Sequence, residues 1–352
     1  MNNPLLLLET LAQTHTLTLD AYETLIAAQD EVLAARAAQL ADAVRREIYG
    51  TAVFIRGLIE VGNVCRNDCL YCGIRRSNSA CERYVLTDEQ ILSCCAEGHA
   101  LGFRTFVLQG GEGVFPVDRI CRVVSAIRQE YPDCAITLSL GEYGTGDYQR
   151  MFDAGANRYL LRHETADKAH YERLHPAGMS FDNRMRCLAD LKAIGFQVGC
   201  GFMVGSPFQA TATLAKDLKF IETFQPDMCG IGPFIPQKDT PFHAYPPGTA
   251  AQTIYLLSLI RLIRPDILLP ATTALGTIAP DGREKGILAG ANVVMPNLSP
   301  LNVRAKYALY DNKISTGDES AQSKRSLEKR MAAIGFQIVT ARGDIIRTTP
   351  KS

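Results

Sequence analysis

The chain has 352 residues, and its 37 basic and 37 acidic side chains give a formal net charge of zero. Without net charge there is no bulk attraction to nucleic acid or to a membrane surface, and we expect neither as a partner. Its 11 cysteines, an odd number, do not suggest a disulfide framework and favour a reducing cytoplasm. Leu5 to Leu8 is too short for a signal peptide, and no stretch approaches membrane-spanning length.

Residues 1–50 show helical patterning, with frequent alanine and leucine. Leu17 to Asp20 precede an apolar-periodic run from Tyr22 to Ala35. We therefore predict an N-terminal helical layer over residues 1–50.

From residue 51 to residue 298, short β-branched or apolar runs alternate with helix-period segments. Eight runs are predicted as strands: Val53–Val61, Thr105–Gln109, Ala135–Leu140, Arg158–Leu161, Gln197–Met203, Met228–Ile231, Ile267–Leu269 and Asn292–Met295. Strands alternating with helices form a parallel sheet, and eight of them close a barrel of roughly 250 residues. The predicted fold class is α/β, a TIM-type (β/α)8 barrel. Residues 299–352 are predicted as a C-terminal extension with a polar stretch from Ser315 to Ser326, a helix from Leu327 to Ala333 and a basic tail.

Three cysteines, Cys65, Cys69 and Cys72, follow the first predicted strand at C-x3-C-x2-C spacing. Three thiolates hold three irons of a 4Fe–4S cluster and leave the fourth open, and an open metal position is where substrate chemistry takes place. The alternative is a zinc site completed by a histidine or a distant cysteine, although no second C-x-x-C or H-x3-H follows. The other eight cysteines lack ligand spacing and are interpreted as core thiols.

Polar residues and glycines also follow the other predicted strands, whose C-terminal ends meet at one barrel mouth. Arg162 and Glu164 either pair as a rim salt bridge or bind a zwitterion, because an Arg fork matches a carboxylate and Glu accepts from ammonium or hydroxyl groups. Gly110 and Gly111 form either an ordinary turn or a close approach of backbone to a ligand. His163 is interpreted as a structural histidine rather than a ligand. Arg184 is interpreted as a solvent-exposed residue of a helix.

The cysteine spacing, with Tyr71 directly before the third cysteine, resembles the radical S-adenosylmethionine (radical SAM) superfamily. That resemblance implies two cofactors, a 4Fe–4S cluster and SAM. In the superfamily the amino and carboxylate groups of SAM chelate the open iron, and an electron from the cluster cleaves the C–S bond to release a 5'-deoxyadenosyl radical.

Longer strings between about residues 50 and 313 resemble the FeFe-hydrogenase maturase family HydE: Leu58 to Asn63, Cys72 to Asn78, Arg158 to Thr165, Gly230 to Pro236 and Pro270 to Thr273. The resemblance implies that the three cysteines bind the cluster. It also implies SAM contacts from Tyr71, Gly110, Gly111, Ser139, Arg162, Glu164 and Arg184. The cavity for the second substrate would be lined by Gln109, Arg158, Thr272, Thr273, Met295 and Tyr307. The implied task is one step in building the hydrogenase di-iron subcluster, on an iron carbonyl–cyanide–cysteine species made by the maturase HydG, with the product passed to HydF.

One departure from the family concerns an accessory iron–sulfur site, spaced C-x7-C-x2-C, near the C-terminus of many members. Here Ser315, Ser323 and Ser326 occupy those positions, and no cysteine follows Cys229. Serine is a poor ligand for a soft cluster, so we expect the accessory cluster to be absent. The sequence does not separate an engineered replacement from a natural variant.

Two other functions stay open. One is radical SAM sulfur insertion or carbon-skeleton rearrangement, as in the similar biotin synthase and methylornithine synthase families. The other is a catalytically silent protein that keeps the cluster as a structural staple. A test for SAM cleavage on reduction distinguishes these functions, because the radical SAM enzymes cleave SAM and the catalytically silent protein does not.

Overall fold

The computed structural model describes residues 3–314 and 320–347. The helices of this part of the chain are α1 (Pro4–Thr14), α2 (Leu19–Ala27), α3 (Glu31–Tyr49), α4 (Asp88–Ala100), α5 (Val117–Glu130), α6 (Thr145–Asp153), α7 (Lys168–Leu174), α8 (Phe181–Ile194), α9 (Thr211–Phe224), α10 (Ala250–Ile263), α11 (Thr273–Ile278), α12 (Gly282–Leu288), α13 (Leu301–Arg304) and α14 (Ser320–Ala333). Its strands are β1 (Ala52–Ile55), β2 (Gly57–Gly62), β3 (Thr105–Gly110), β4 (Ala135–Ser139), β5 (Arg158–Leu160), β6 (Gln197–Cys200), β7 (Met203–Val204), β8 (Met228–Cys229), β9 (Gly232–Pro233), β10 (Val293–Val294) and β11 (Gln337–Val339). None of the described helices combines the length and the apolar character needed to cross a membrane.

A parallel sheet in the order β2-β3-β4-β5-β6-β8 forms most of the barrel wall. β1 runs into β2 after Arg56 and pairs with β10 on its other side. The predicted seventh strand, Ile267–Leu269, makes only single bridges, from Leu268 to Met228 and from Pro270 to Val293. Pro270 has no N–H to donate, which explains why this segment does not extend into a regular ladder. The predicted α/β class is confirmed, and the bridges link eight chain segments in the order of a (β/α)8 barrel.

Alternate residues of the wall face the helices and the barrel interior, as the two-residue period of a strand requires. Val53, Ile55, Ile59 and Val61 pack into the main core between the wall and the outer helices. The inward-facing residues near the N-terminal ends of the strands form a separate apolar cluster that includes Phe54, Met228, Leu268 and Val293. The lower interior is therefore filled, and the space for a ligand lies toward the C-terminal ends of the strands.

The N-terminal helices lie on the outside of the barrel, where α2 packs against α9 and α3 packs against α10. The predicted apolar run from Tyr22 to Ala35 is divided between α2 and α3. Asp30 begins the second of these helices, because its carboxylate accepts a hydrogen bond from the Leu33 backbone N–H at 2.7 Å.

The C-terminal segment contains structure that the sequence did not predict. α14 begins at Ser320, seven residues before the predicted Leu327, because Leu327 and Met331 are buried and the polar residues before them continue the same helix. The predicted basic tail contains β11, which pairs in parallel with β1. The tail then reaches the bottom of the barrel. There the fully buried Arg158 donates to the carboxylate of Asp344 at 2.7 Å and to the carbonyls of Arg342 and Gly343 at 2.9 and 3.0 Å.

We predict that Asp344→Asn lowers the free energy of unfolding by about 1–2 kcal/mol at pH 7, a range reduced for the partial exposure of Asp344. Burial opposes its charged form, but hydrogen bonds from Arg342 and the charge of Arg158 hold the pKa of Asp344 well below its usual range. A lowered pKa in the folded state stabilises the protein above the unfolded value of about 3.9, and that stabilisation disappears as the pH falls through the folded value.

Urea unfolding of wild type and variant checks this, and the difference between them should shrink as the pH falls from about 5 toward 3. Asp118→Asn is the control. Its partner Arg150 is exposed, so we expect a change within about 0.5 kcal/mol. Equal effects of the two substitutions would contradict the structural role of Asp344.

Candidate active site at the barrel mouth

The three cysteines lie on an irregular segment between β2 and α4, residues 63–84, here called the cysteine loop. Its backbone has few regular hydrogen bonds, so side chains hold its shape. The Arg83 guanidinium donates to the carbonyls of Asn63, Ile74, Arg75 and Asn78 at 2.6, 2.8, 2.6 and 3.1 Å. One oxygen of Asp68 accepts from the Arg75 side chain at 2.9 Å and from the Ser77 backbone at 3.0 Å. The loop is therefore ordered by the protein itself.

The sulfurs of this loop are not arranged around a single metal ion. Two thiolates on one zinc ion, each about 2.3 Å from the metal, lie no more than about 4.6 Å apart. Among the described residues, the Sγ atoms of Cys65, Cys69 and Cys72 are not all within 4.8 Å of one another. This arrangement argues against the zinc alternative, and a 4Fe–4S cluster on these cysteines stays a prediction.

The thiols are also close enough to influence one another. Burial raises the pKa of Cys72 to about 12, and the charge of Cys65 adds to the effect. Burial, and then the neighbouring Cys72, raise the pKa of Cys69, whereas the cation of Arg184 opposes the rise. In this low-dielectric setting three thiolates need neighbouring positive charge, which the irons of a cluster provide.

Two glycines allow the cysteine loop to pack tightly on both sides. A Cβ atom on Gly111 would lie 2.1 Å from the carbonyl oxygen of Val64 and 2.7 Å from the Cβ of Cys65. A Cβ on Gly73 would lie 2.0 Å from the carbonyl oxygen of Ala308. Gly111 therefore has a packing reason that the sequence did not reveal. The contact of Gly110 and Gly111 with SAM stays a prediction.

A charged network connects the cysteine loop to three neighbouring elements; its members are Arg66, Glu112, Glu142 and Arg184. Arg66 Nε donates to Glu112 at 2.8 Å, and the other Glu112 oxygen accepts from the Glu142 backbone N–H at 2.9 Å. The Glu142 carboxylate accepts from Arg184 Nε at 2.5 Å. Arg184 also donates to the carbonyl of Arg162 at 2.6 Å. Arg184 is buried, so it is not the solvated helix residue that was one of its two interpretations.

Sequence reasoning missed the acidic half of this network. Glu112 follows the double glycine, a position that suggested a ligand-binding turn rather than an ion pair. Glu142 had no signal in the sequence, because its role depends on the distant residues Arg184 and Asn183, and the amide of Asn183 donates to it at 2.6 Å.

Glu164 and Arg162, at the end of β5, have polar atoms without partners. Glu164 is buried, and its backbone φ of 64° lies in the left-handed region, which is strained for a residue other than glycine. Arg162 Nη2 lies 3.4 Å from Glu164 Oε2, yet this oxygen and the Nε and Nη2 atoms of Arg162 have no hydrogen-bond partner. Buried polar atoms are normally paired, so these two side chains fit a polar ligand better than a finished rim salt bridge.

The residue between them, His163, holds this strained turn. Its Nδ1 accepts from the Gly201 backbone N–H at 3.2 Å, which assigns the proton to Nε2, and Nε2 donates to Asp217 at 3.3 Å. The same Asp217 oxygen accepts from the Ala166 backbone at 2.5 Å. The Glu164 N–H donates to the Gly201 carbonyl at 3.0 Å. His163 and Asp217 are fully buried and clamp both sides of Glu164.

Tyr71, next to Cys72, faces a buried aromatic group. Its hydroxyl lies 3.1 Å from Nε2 of His175, and Nδ1 of that ring lies 2.9 Å from the carbonyl oxygen of Tyr171. Burial lowers the pKa of His175 to about 3, so the ring is neutral and accepts from Tyr71. The sequence analysis did not identify His175, which holds the cysteine loop in place through its hydrogen bond with Tyr71.

Most of the residues expected around the second substrate lie toward the mouth. Gln109 and Ser139 are direct neighbours across β3 and β4, and the Gln109 amide donates to the hydroxyl of the buried Tyr307 at 3.4 Å. Thr272 begins α11 and lies beside Gly232.

Two further residues of this set border the same interior at different levels. The Thr273 hydroxyl accepts from Arg283 at 3.3 Å. Met295 is half-buried and packs on the apolar cluster below.

Arg158 is not brought to the mouth with them. It is the first residue of β5, paired in register with Thr137 and Gln197 rather than at the level of Ser139. Arg162 lies four residues further along, or about 13 Å at the rise of a strand. The Arg158 guanidinium donates to the C-terminal tail, as described above. These contacts support a structural role for Arg158 and not the expected substrate contact.

Two of the three serines at the accessory-site positions are described. Ser323 is half-buried and Ser326 is exposed, and both lie on α14, which includes the second half of the predicted polar stretch. Ser315 lies outside the described residues.

We predict that Asp217→Ala weakens SAM binding by roughly tenfold while the cluster is retained, because losing the acceptor of His163 frees the Glu164 turn. Calorimetric titration with SAM and iron analysis are the measurements. Glu222→Ala is the matched control, since this carboxylate accepts from the buried Tyr22 at 2.7 Å in the N-terminal layer. If both variants lose stability but neither loses SAM affinity, the clamp has no role in binding.

Comparison with known proteins shows related sequences and a related fold. Residues 59–221 match the model of the radical SAM superfamily. Over 298 residues the chain is 43% identical to the FeFe hydrogenase maturase subunit HydE of Thermotoga maritima, an alignment that covers 84% of this chain and 85% of that protein. It is 28% identical over 297 residues to 3-methylornithine synthase of Methanosarcina acetivorans, which covers 84% of this chain and 82% of the relative. The crystal structure of methylornithine synthase superposes with a TM-score of 0.82 at 26% identity, covering 95% of this chain and 97% of that one.

Proposed function

Because the chain belongs to the radical SAM superfamily and, within it, to the HydE maturase family, we propose that it acts in assembling the di-iron subcluster of FeFe hydrogenase. The enzyme uses a 4Fe–4S cluster and SAM, as the superfamily does. The proposed substrate is an organometallic iron–cysteine precursor. The observation that carries the proposal is the 43% identity to HydE across 84% of the chain.

Cys65, Cys69 and Cys72 are the proposed cluster ligands. When bound together, the cluster and SAM supply a 5'-deoxyadenosyl radical. The protein shields this chemistry with apolar side chains: Leu70 and Tyr71 of the cysteine loop pack on a buried group formed by Leu174, Met203, Phe234 and Phe242. Excluding water in this way protects a reactive radical from side reactions.

Arg162 and Glu164 are the proposed contacts for the charged groups of SAM. The Arg162 guanidinium suits a carboxylate, and the unpaired Glu164 oxygen suits an ammonium or hydroxyl donor. Ser139, the last residue of β4, is a further proposed contact, taken from the family resemblance. Arg184 donates to Glu142 and to the Arg162 carbonyl, so we assign it the positioning of Arg162 in addition to any contact of its own.

The second substrate is proposed to bind deeper in the mouth, among Gln109, Tyr307, Thr272, Thr273 and Met295. Hydroxyl and amide donors suit the carboxylate and cyanide groups of an iron–cysteine species.

HydG as the source of this species and HydF as the recipient of the product are proposed from the family resemblance. The eleven cysteines are all free thiols, which supports a reducing cytoplasm as the location.

A second candidate is carbon-skeleton rearrangement of an amino acid, which the TM-score of 0.82 to methylornithine synthase favours. The lower sequence identity, 28% against 43%, places this reaction second. Sulfur insertion of the biotin synthase type is the third.

Anaerobic turnover assays separate these functions. The reduced protein is supplied with SAM and with one of three substrates: the iron carbonyl–cyanide–cysteine species, L-lysine or dethiobiotin. We expect substrate-dependent loss of SAM only with the iron species, and activation of apo-hydrogenase when HydF is added. Formation of 3-methylornithine from lysine would replace the proposal with the second candidate, and a protein that never cleaves SAM would be a scaffold.

We predict that Cys65→Ala, Cys69→Ala and Cys72→Ala each abolish cluster binding and SAM cleavage, since two thiolates do not hold the cluster against exchange and oxidation. The fold should persist, because the wall and core are built elsewhere in the chain. Iron and sulfide analysis with circular dichroism checks both statements, and wild type should contain about four irons. Cys121→Ser, a half-buried thiol on α5, is the control and should keep the cluster. A mutant that retains the brown chromophore and cleaves SAM would refute the assignment.

We predict that Glu164→Gln and Arg162→Met weaken SAM binding by roughly tenfold or more and leave the cluster intact, because charge-assisted hydrogen bonds are worth about 1.5–3 kcal/mol. Calorimetry on the cluster-loaded protein measures the affinity. Lys168→Met, on an exposed ion pair with Asp182, serves as the charge-removal control. Unchanged affinity in both mouth variants would return the pair to a rim salt bridge.

A further inference from the structure

Three metal-ligating side chains converge at the face of the barrel opposite the mouth: His99, Asp133 and Cys134. His99 lies in the last turn of α4, and the other two directly precede β4. His99 Nε2 lies 3.5 Å from Asp133 Oδ1, and Cys134 Sγ lies 3.7 Å from the same oxygen. All three ligand atoms are within 4.8 Å of one another, a condition that no other group of histidine, cysteine and acidic residues meets within the described residues.

These separations are those of a tetrahedral metal site. Bond lengths of about 2.3 Å to sulfur and about 2.0–2.2 Å to nitrogen or oxygen place the ligand atoms of one zinc ion roughly 3.3–3.7 Å apart. The observed 3.5 and 3.7 Å lie in this range, and the third separation, between the His99 and Cys134 ligand atoms, is within 4.8 Å. The cysteine loop lacks this property, so the two groups of cysteine-containing ligands differ in kind.

Neighbouring residues fix the orientation of two of the ligands. Arg104 Nε holds the other Asp133 oxygen at 2.8 Å, which leaves Oδ1 turned toward the histidine and the thiol. The His99 ring lies against the Tyr131 ring with 4.9 Å between centroids. Supports of this kind normally accompany metal ligands and raise affinity.

The chemistry of the three donors favours a borderline cation. Cys134 is fully buried, whereas the His99 and Asp133 side chains are 33% and 54% exposed, so an ion can enter from solvent. Sulfur, imidazole and carboxylate together suit zinc and its neighbours rather than magnesium or calcium.

We propose that His99, Asp133 and Cys134 bind a transition-metal dication, represented by zinc(II), at the N-terminal face of the barrel. The ion would connect the end of α4 to the start of β4, and water would complete its coordination on the exposed side. This site is separate from the mouth and does not depend on the proposed function.

The test uses the full-length, cluster-loaded protein under anaerobic conditions, in which Cys65, Cys69 and Cys72 are occupied. One equivalent of zinc chloride is added, unbound zinc is removed by desalting, and bound zinc is counted by mass spectrometry. Zinc-edge X-ray absorption, which does not detect iron, then reports the ligands. We expect one zinc per chain with one sulfur at about 2.3 Å and the remaining ligands at about 2.0–2.2 Å.

Variants of the ligands decide whether this is the site. His99→Ala and Cys134→Ser should each weaken zinc binding by roughly tenfold or more. Replacing a residue that only supports a ligand already costs about that much affinity, so loss of the ligand itself should cost at least as much. The matched controls Asp118→Asn, an exposed aspartate paired with arginine, and Cys121→Ser should keep it. His99 is partly exposed, so its variant remains informative if replacing the buried Cys134 impairs folding.

Three results would overturn the proposal. They are no retained zinc in the wild type, a zinc shell with three sulfurs, and unchanged affinity in His99→Ala. A shell with three sulfurs would place the ion on the cysteine loop.

Discussion

The ion pair between Glu142 and Arg184 is the interaction on which the arrangement of the mouth depends. Both side chains are buried, and removing one partner of such a pair typically costs about 3–5 kcal/mol, because a charge is left uncompensated. Through Glu112 and Arg66 the pair reaches the cysteine loop, and through the Arg162 carbonyl it reaches the end of β5. The cysteines and the proposed SAM contacts belong to different strands, so a shared charged network is what gives them one fixed geometry.

That network leaves the ligand-facing atoms free. Arg184 and Glu142 satisfy each other, whereas the Glu164 oxygen and two Arg162 nitrogens have no partner. The left-handed backbone conformation of Glu164 is unfavourable by about 1–3 kcal/mol. Hydrogen bonds of His163 and Asp217, on the core side, hold the chain in this conformation. The paired charges hold the elements of the mouth in position, and the unpaired atoms are those proposed to contact SAM.

The sequence predicted the parts of the fold that depend on local pattern. Seven of the eight expected strands match regular strands, because β-branched runs such as Val53–Val61 mark the wall directly. β11 was missed, since it is only three residues long and its pairing with β1 depends on a contact far along the chain. Arg158 was expected at the mouth through the family resemblance, although its place at the start of a predicted strand already puts it at the opposite end. Glu142 and His175 had no periodic or motif signal, and only tertiary structure reveals them.

The C-terminal extension is therefore part of the barrel rather than an appendage. Ala308 and Leu309 pack on Gly73 of the cysteine loop, and the Lys313 ammonium pairs with the buried Glu60 of β2 near the same end. Beyond α14, the tail seals the other end through Asp344 and Arg158. Since this segment contacts both ends of the wall, its position does not depend on an accessory cluster. Ion pairs hold the described residues on either side of the three serines, at Lys313 and at Asp344, and these contacts require no metal.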